Sequence, residues 1–381
     1  MKVKLGDIYN ITSGGTPSRS HSEYYKNGNI RWVKTGDLKE KYLYKVEDYI
    51  SLEGLNNSSA RMYKPDTVLI AMYGATIGAV SILKVDACTN QACAAFSKHD
   101  DVIPEYLYFY LKSRKERFVR DGVGGAQPNI SVGYLKNVVI DLPALGKQTE
   151  IVDKLESVEK LIEYEKVQLL QYDVLIKSRF VEMFGDTVKN PMGWDIKNFN
   201  EISLLITDGE HVTPKRTSEG IFLLSARNVL NHVIQIEDVD FIDEAEYNRI
   251  AKRVVPMAGD ILISCSGSIG RCCVVPKDFR FQMVRSVALI RFNKSINPIF
   301  AEWLISSDGL QRQIMSAATQ SSQANLFQGK IQKLQGYVPP LQLQNEFAAF
   351  VRQVDKLKVE EQKNLEKAQF LSDSLMQQYF G

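Results

Sequence analysis

The side chains best suited to chemistry in this sequence are hydrogen-bonding groups in short, glycine-broken stretches, and they occur twice. Thr16, Ser18 and Arg19 form one group, Lys34 and Thr35 a second, Tyr73, Gly74 and Thr76 a third, and Gln127 and Asn129 a fourth. In the second half Thr213, Lys215 and Arg216 are followed by Arg227 and Asn228, then Ser266 and Ser268, then Gln320, Gln323 and Asn325. Guanidinium, carboxamide and hydroxyl groups in polar loops suit contact with the phosphates and base edges of nucleic acid, with glycine where backbone must come close. Any one of these residues could equally be a solvated turn residue. Their recurrence at matching positions singles out the set.

Signals of catalysis are missing from the sequence. A methyl-donor site needs a glycine-rich turn opening a helix, but the glycine cluster "DGVGGAQPN" (121–129) runs into a polar stretch. The Asn/Asp-Pro-Pro loop that grips a flipped adenine does not occur, and "VPP" at 338–340 reads as a helix boundary. A Gly-x4-Gly-Lys-Ser/Thr loop for nucleotide phosphates is absent as well. The five cysteines (Cys88, Cys93, Cys265, Cys272 and Cys273) form no Cys-x-x-Cys and read as reduced thiols in packed strands, with no metal site.

At 381 residues, 44% hydrophobic and 24% charged, the chain has the composition of a soluble globular protein large enough for two ordinary domains. The start, "MKVKLGDIYN", has no apolar run, and nowhere do 18 apolar residues follow one another, so the expectation is a cytoplasmic protein without a membrane segment. The net charge of +2 is unevenly spread. Residues 1–141 carry +4 and 186–337 carry +1, while 142–185 and 338–381 carry −2 and −1. That distribution fits nucleic-acid contact by the longer blocks.

The elements that must position the loops come from an internal repeat. Shifted by 196 positions, residues 142–185 lie on 338–381 without a gap and with 13 of 44 positions identical, both copies ending in Phe-Gly (Phe184-Gly185 and Phe380-Gly381). An offset of 194 places "PEYLYFYLKS" (104–113) on "PIFAEWLISS" (298–307), and "DTVLIAMYGATIG" (66–78) resembles "DILISCSGSIG" (260–270). Each copy begins with short β-prone runs and continues into a helix opened by Pro104 or Pro298, a residue that costs nothing in a first helical turn. Each ends in a long helical tail. From Gln148 to Phe184 there is neither Pro nor Gly, enough for a helix of roughly 55 Å. Ile151, Leu155, Val158, Ile162, Leu169, Tyr172 and Ile176 follow steps of four and three, interrupted at Glu165. Phe347, Val351, Val354, Leu365, Ala368 and Leu375 make the matching stripe, interrupted at Glu361. Such a narrow seam needs a partner, and the other copy's helix, packed antiparallel, is the simplest one. That arrangement predicts an α+β protein with two blocks at opposite ends of a helical rod, related by an approximate internal twofold.

The layout resembles the specificity (S) subunit of type I restriction-modification systems. Pro143, Leu145, Gln148 and Ile151 match that family's opening of the helix after each recognition domain, and Pro339, Leu341, Gln344 and Phe347 repeat them. Further likeness lies in "SGGTPSR" (13–19), "IRWVKTGDL" (30–38), "MYGATIG" (72–78) and "TNQA" (89–92). Copy one reduces the family's proline run to "PALG", and "DGEHVTPKR" and "LLSARNV" echo the block-one motifs only loosely. The resemblance implies two pseudo-repeated α/β target-recognition domains separated by long antiparallel coiled-coil helices. The domain limits it suggests are 1–147 for target-recognition domain 1, 148–185 for spacer helix 1, 186–343 for target-recognition domain 2 and 344–381 for spacer helix 2. It implies a non-catalytic chain that reads a bipartite double-stranded DNA site through the loop residues named above and docks two adenine-methyltransferase (modification) subunits, with restriction/translocase subunits joining. It also implies no cofactor in this chain, S-adenosylmethionine, ATP and Mg being held by partner subunits. A self-contained DNA methyltransferase and a structural coiled-coil scaffold are the alternative readings.

Overall fold

The computed structural model describes residues 1–122, 129–318 and 325–381. Two compact units emerge: residues 1–166 with 363–381, and residues 167–362.

In the first unit the central sheet has five strands in the order Thr12–Ser13, Cys93–Phe96, Val68–Ala71, Val80–Leu83 and Tyr42–Leu43. Val68–Ala71 runs antiparallel to both its neighbours. It is apolar at every position because both of its faces are covered. Val68 and Ile70 point into a core shared with helix Pro104–Ser113, whereas Leu69 and Ala71 point into a separate core with Val33, Leu38 and Tyr63. This is the period-two geometry of a strand buried on both sides, and it explains a run that shows no hydrophobic alternation. A four-stranded sheet (Tyr49–Ile50, Ile30–Val33, Ala87–Thr89, Met62–Tyr63) and a two-stranded ladder (Lys2–Lys4 with Val139–Asp141) complete the block.

The second unit repeats the plan. Ile261–Ser264 pairs antiparallel with both Val287–Phe292 and Cys272–Val274. Its Ile261 and Ile263 face helix Pro298–Ser306, and its Leu262 faces a separate core with Leu224 and Phe281. The ladder Ile196–Asn198 with Gln335–Tyr337 stands where the first unit has Lys2–Lys4 with Val139–Asp141. Asn297 caps its helix by accepting from the Ile299 N–H at 2.9 Å, as expected for a proline-opened helix.

The long helices run Leu145–Phe184 and Leu341–Phe380, each opening three residues earlier than the Gln148 and Gln344 starts read from sequence. The reason is local. Ala144 and Pro340 carbonyls already accept the Gln148 and Gln344 N–H groups, so the first turn forms directly behind the proline run. Packing also divides these helices differently from the sequence limits of 148–185 and 344–381, because each helix contributes one half to each unit. In the first unit Ile151, Val152 and Leu155 bury against Phe380, whose ring meets Tyr106 edge-on at 5.3 Å. In the second, Phe184 meets Phe300 at 4.8 Å and Phe347 at 5.6 Å. Phe184 and Phe380 are repeat equivalents, as are Phe300 and Tyr106, so the Phe that closes each copy fills the block formed by the other copy's helix start. Within each unit the two helical halves are therefore antiparallel. Central seam residues Ile162, Leu169 and Tyr172 are only half-buried, whereas the interrupting Glu165 is buried.

Gln148 and Gln344, both without solvent exposure, tie helix to block in the same way. Gln148 Oε1 accepts from the Ile103 N–H (2.9 Å), and its Nε2 donates to the Asp101 (2.8 Å) and Pro143 (2.9 Å) carbonyls. Gln344 Oε1 accepts from the Asn297 N–H (2.8 Å), and its Nε2 donates to Ser295 (3.1 Å) and Pro339 (2.8 Å). Each carboxamide thus satisfies three backbone groups where the proline-opened helix begins and no water can reach.

Candidate nucleic-acid interface

Four backbone hydrogen bonds assemble the loops of the first unit. Gly15 N donates to Thr89 O (2.9 Å), Asn90 N to Val33 O (2.9 Å), Met72 N to Ala92 O (2.8 Å) and Ile130 N to Met72 O (3.0 Å). They draw together the stretches carrying Thr16, Lys34 and Thr35, Tyr73 to Thr76, and Asn129. The second unit makes the same four: Glu210 N to Met283 O (2.9 Å), Val284 N to Leu224 O (2.9 Å), Cys265 N to Ser286 O (2.8 Å) and Leu326 N to Cys265 O (2.9 Å). Isolated bridges Tyr73–Asn129 and Ser266–Asn325 occupy matching places.

Glycine is required at two points of this framework. Gly74 and Gly267 turn the chain with φ of +66° and +67°, a conformation that other residues adopt at a cost. A Cβ on Gly14 would fall 1.9 Å from Thr89 O, and one on Gly209 2.4 Å from Met283 O, so both strands can approach only without a side chain.

Most residues singled out from sequence fall on this framework. Thr16 is exposed and donates its hydroxyl to Gln91 Oε1. Ser18 bonds Ser20 at 2.7 Å, and Arg19 is exposed beside them. Lys34 is held by Asp48 and lies 5.8 Å from the Trp32 ring, while Thr35 opens the next turn half-exposed. Tyr73 is 43% exposed, and Thr76 Oγ1 donates back to Tyr73 O at 3.2 Å. In the second unit Thr213 and Lys215 are exposed, the Lys215 N–H donating to Glu246 at 3.1 Å. Arg216 and Arg227 converge on one carboxylate, Asp240, at 3.0 and 3.2 Å. Both guanidiniums stay about half exposed, with N–H groups left for a ligand. Ser268 is exposed, and Ser266 and Asn325 are half-exposed. Gln127, Gln320 and Gln323 lie outside the described residues.

Asn228 requires a correction. It is 1% exposed, its Oδ1 accepts from the Ser225 N–H and hydroxyl, and its Nδ2 donates to the Gln235 and Asp238 carbonyls. With both ends of the amide used internally, Asn228 builds the turn that presents Arg227 and has nothing left for a ligand.

Sequence reasoning singled out neither Asp240 nor Arg285, and took Gln91 only as part of "TNQA" (89–92). Nothing local marks Asp240, which matters only because folding brings two arginines to it. Gln91 and Arg285 had a usable signal, since they fall on one another at the 194-residue offset that aligns Pro104 with Pro298.

The five cysteines are buried, and among the described residues no group of His, Cys, Asp and Glu could hold a metal. No helix among them is long and apolar enough to cross a membrane.

Repeated polar loop frameworks on α+β blocks, each block closed by both long helices, define a two-domain module built on one plan. The model of the type I restriction modification DNA specificity domain matches residues 1–172 and 224–367, and the chain belongs to that family. It is a type I specificity subunit, the non-catalytic component of a restriction-modification complex. It is similar to the MjaIX specificity subunit of Methanocaldococcus jannaschii, 28% identical over 313 residues covering 75% of this chain and 71% of the relative. The EcoprrI specificity subunit of Escherichia coli is 21% identical over 93% of this chain and 87% of its own length. The solved S subunit from M. genitalium shares the fold with a TM-score of 0.57 at 17% identity, covering all of this chain and 96% of that one. A chain from a structural study of assembly and conformational transition in the type I system gives 0.66 at 16% identity, covering all of this chain and 97% of the other.

Proposed function

We propose that each unit reads one half of a bipartite double-stranded DNA site through its loop framework. The long helices set the gap between the halves and dock two adenine-methyltransferase subunits. The matched set of four backbone hydrogen bonds carries this reading, because one framework presenting different side chains is what two different half-sites need. Docking is supported by apolar residues along the helices that face solvent, among them Leu170 (66% exposed), Val174 (64%) and Phe370 (76%). In the second unit a cleft of about 820 Å³ lined by Val174, Phe180, Trp303, Val351 and Val359 adds apolar surface. S-adenosylmethionine, ATP and Mg are then bound by partners, and restriction/translocase subunits join the same assembly.

The test is exchange of residues 1–141 for another recognition block, followed by mapping of methylated adenines in DNA exposed to the assembled complex. One half-site should change while the other half and the gap stay. A simultaneous change of both halves would overturn the two-reader model.

A further inference from the structure

Gln91 and Arg285 occupy one position of the repeated framework. Each follows a residue whose N–H is bound by the neighbouring strand (Asn90 to Val33, Val284 to Leu224). In each case the chain then closes a tight turn, Cys93 N donating to Asn90 O at 3.3 Å and Val287 N to Val284 O at 2.9 Å. Both side chains are exposed and stand beside the Tyr73 or Ser266 loop, through the Met72–Ala92 and Cys265–Ser286 bonds.

Their surroundings suit recognition more than structural support. Arg216, Arg227, Arg249 and Arg253 of the second unit each pair with a carboxylate. The Arg285 guanidinium has no hydrogen bond or ion pair among the described residues, and nearby Glu210 takes its N–H through the backbone carbonyl at 3.0 Å. Glu210's carboxylate is occupied by the Val212 N–H and by Arg249. His211, which stands at the place of Thr16, is held by Asp208 at 2.8 Å. The Gln91 carboxamide is held by the Thr16 hydroxyl, which uses a single lone pair of Oε1; among the described residues the other lone pair and the Nε2 hydrogens have no partner. A carboxamide with one acceptor and one donor in plane matches adenine N6 and N7. A guanidinium fork matches guanine O6 and N7.

We propose that this turn position reads a base in both units, Gln91 taking an adenine in one half-site and Arg285 a guanine in the other. The proposal rests on the DNA-recognition reading above and names two of its specificity-determining residues.

The experiment uses the full chain assembled with its methyltransferase subunits, and maps methylated sites for the parent, Gln91→Ala, Arg285→Ala, Arg285→Gln and Arg285→Lys. Arg285→Ala should lose about 10- to 100-fold discrimination at one G·C pair of one half-site. Arg285→Gln should shift that preference towards A·T, and Gln91→Ala should relax one A·T pair in the other half. Arg285→Lys keeps the charge and loses the fork, so base preference should fall with it. Uniformly weaker methylation with base preference intact in the alanine variants, and full preference in Arg285→Lys, would mark phosphate contacts and overturn the proposal while leaving the two-reader model standing. A parent complex without a bipartite site would overturn both.

Discussion

Replacing Gln148 with methionine tests whether the repeat-specific glutamines join helix to block. Methionine keeps most of the volume and removes both hydrogen-bonding ends. The Ile103 N–H and the Asp101 and Pro143 carbonyls would then lose a partner in a site closed to water. A buried donor left without an acceptor costs about 1–3 kcal/mol, and carbonyls with a second lone pair cost less. Burial of the thioether returns part of the loss. A net destabilisation of about 2–4 kcal/mol follows. Thermal unfolding should register it as a fall of roughly 4–16 °C if the affected unit melts separately. Gln344→Met removes the same three bonds and should lose a similar amount, within about 1 kcal/mol, from the other unit. Gln148→Glu sharpens the test, since a carboxylate would face two carbonyls. Its loss should be larger at neutral pH and should lessen as pH falls, because burial opposite carbonyls raises the carboxyl's folded pKa and protonation removes the charge and restores one donor. Urea titration of the three variants against the parent is the assay. Losses below about 1 kcal/mol in both methionine variants would refute the idea that these amides are structural.

Insertion of four residues after both Lys166 and Gln362, at the boundary between the units, lengthens each helix by roughly 6 Å and should widen the untouched gap by about one to two base pairs. A folded variant methylating with the parent spacing would remove the helices as the ruler. Arg19→Ala and Arg216→Ala should each weaken DNA binding by about 1–3 kcal/mol and relax one position of the corresponding half-site if the guanidinium reads guanine; unchanged binding and preference in both would exclude these arginines. All five thiols should resist maleimide in the native protein and react once it is unfolded, because burial pushes Cys88, Cys93 and Cys265 up to about 12 and raises Cys272 and Cys273 as well. Rapid native labelling at any of them would contradict the packing described.

The sequence by itself determined what depends on local periodicity and on self-similarity. The ungapped repeat, the absence of Pro and Gly after Gln148, and the seam from Ile151 to Ile176 are properties of neighbouring residues, and a long helix forms over each tail, opening three residues before the start they indicate. Pro104 and Pro298 open helices because a missing N–H and a fixed φ act within one turn. Tertiary structure alone decided which polar side chains remain free. Asn228 and Arg227 are adjacent in a polar stretch, yet the fold buries one amide among four hydrogen-bonding partners and leaves the other side chain half exposed on Asp240. The loops likewise lie far apart in sequence, and the hydrogen bonds from Gly15 to Thr89 and from Met72 to Ala92 that gather them lie just outside the strand ladders and form only once the strands are packed. Burial and partner choice depend on how the folded chain closes around a side chain, which residue type and spacing do not encode. The same limit explains the division of the helices. Their seam could be read from each tail alone, but the assignment of Phe184 to the core around Phe300, and of Phe380 to the core around Tyr106, required both blocks to be folded.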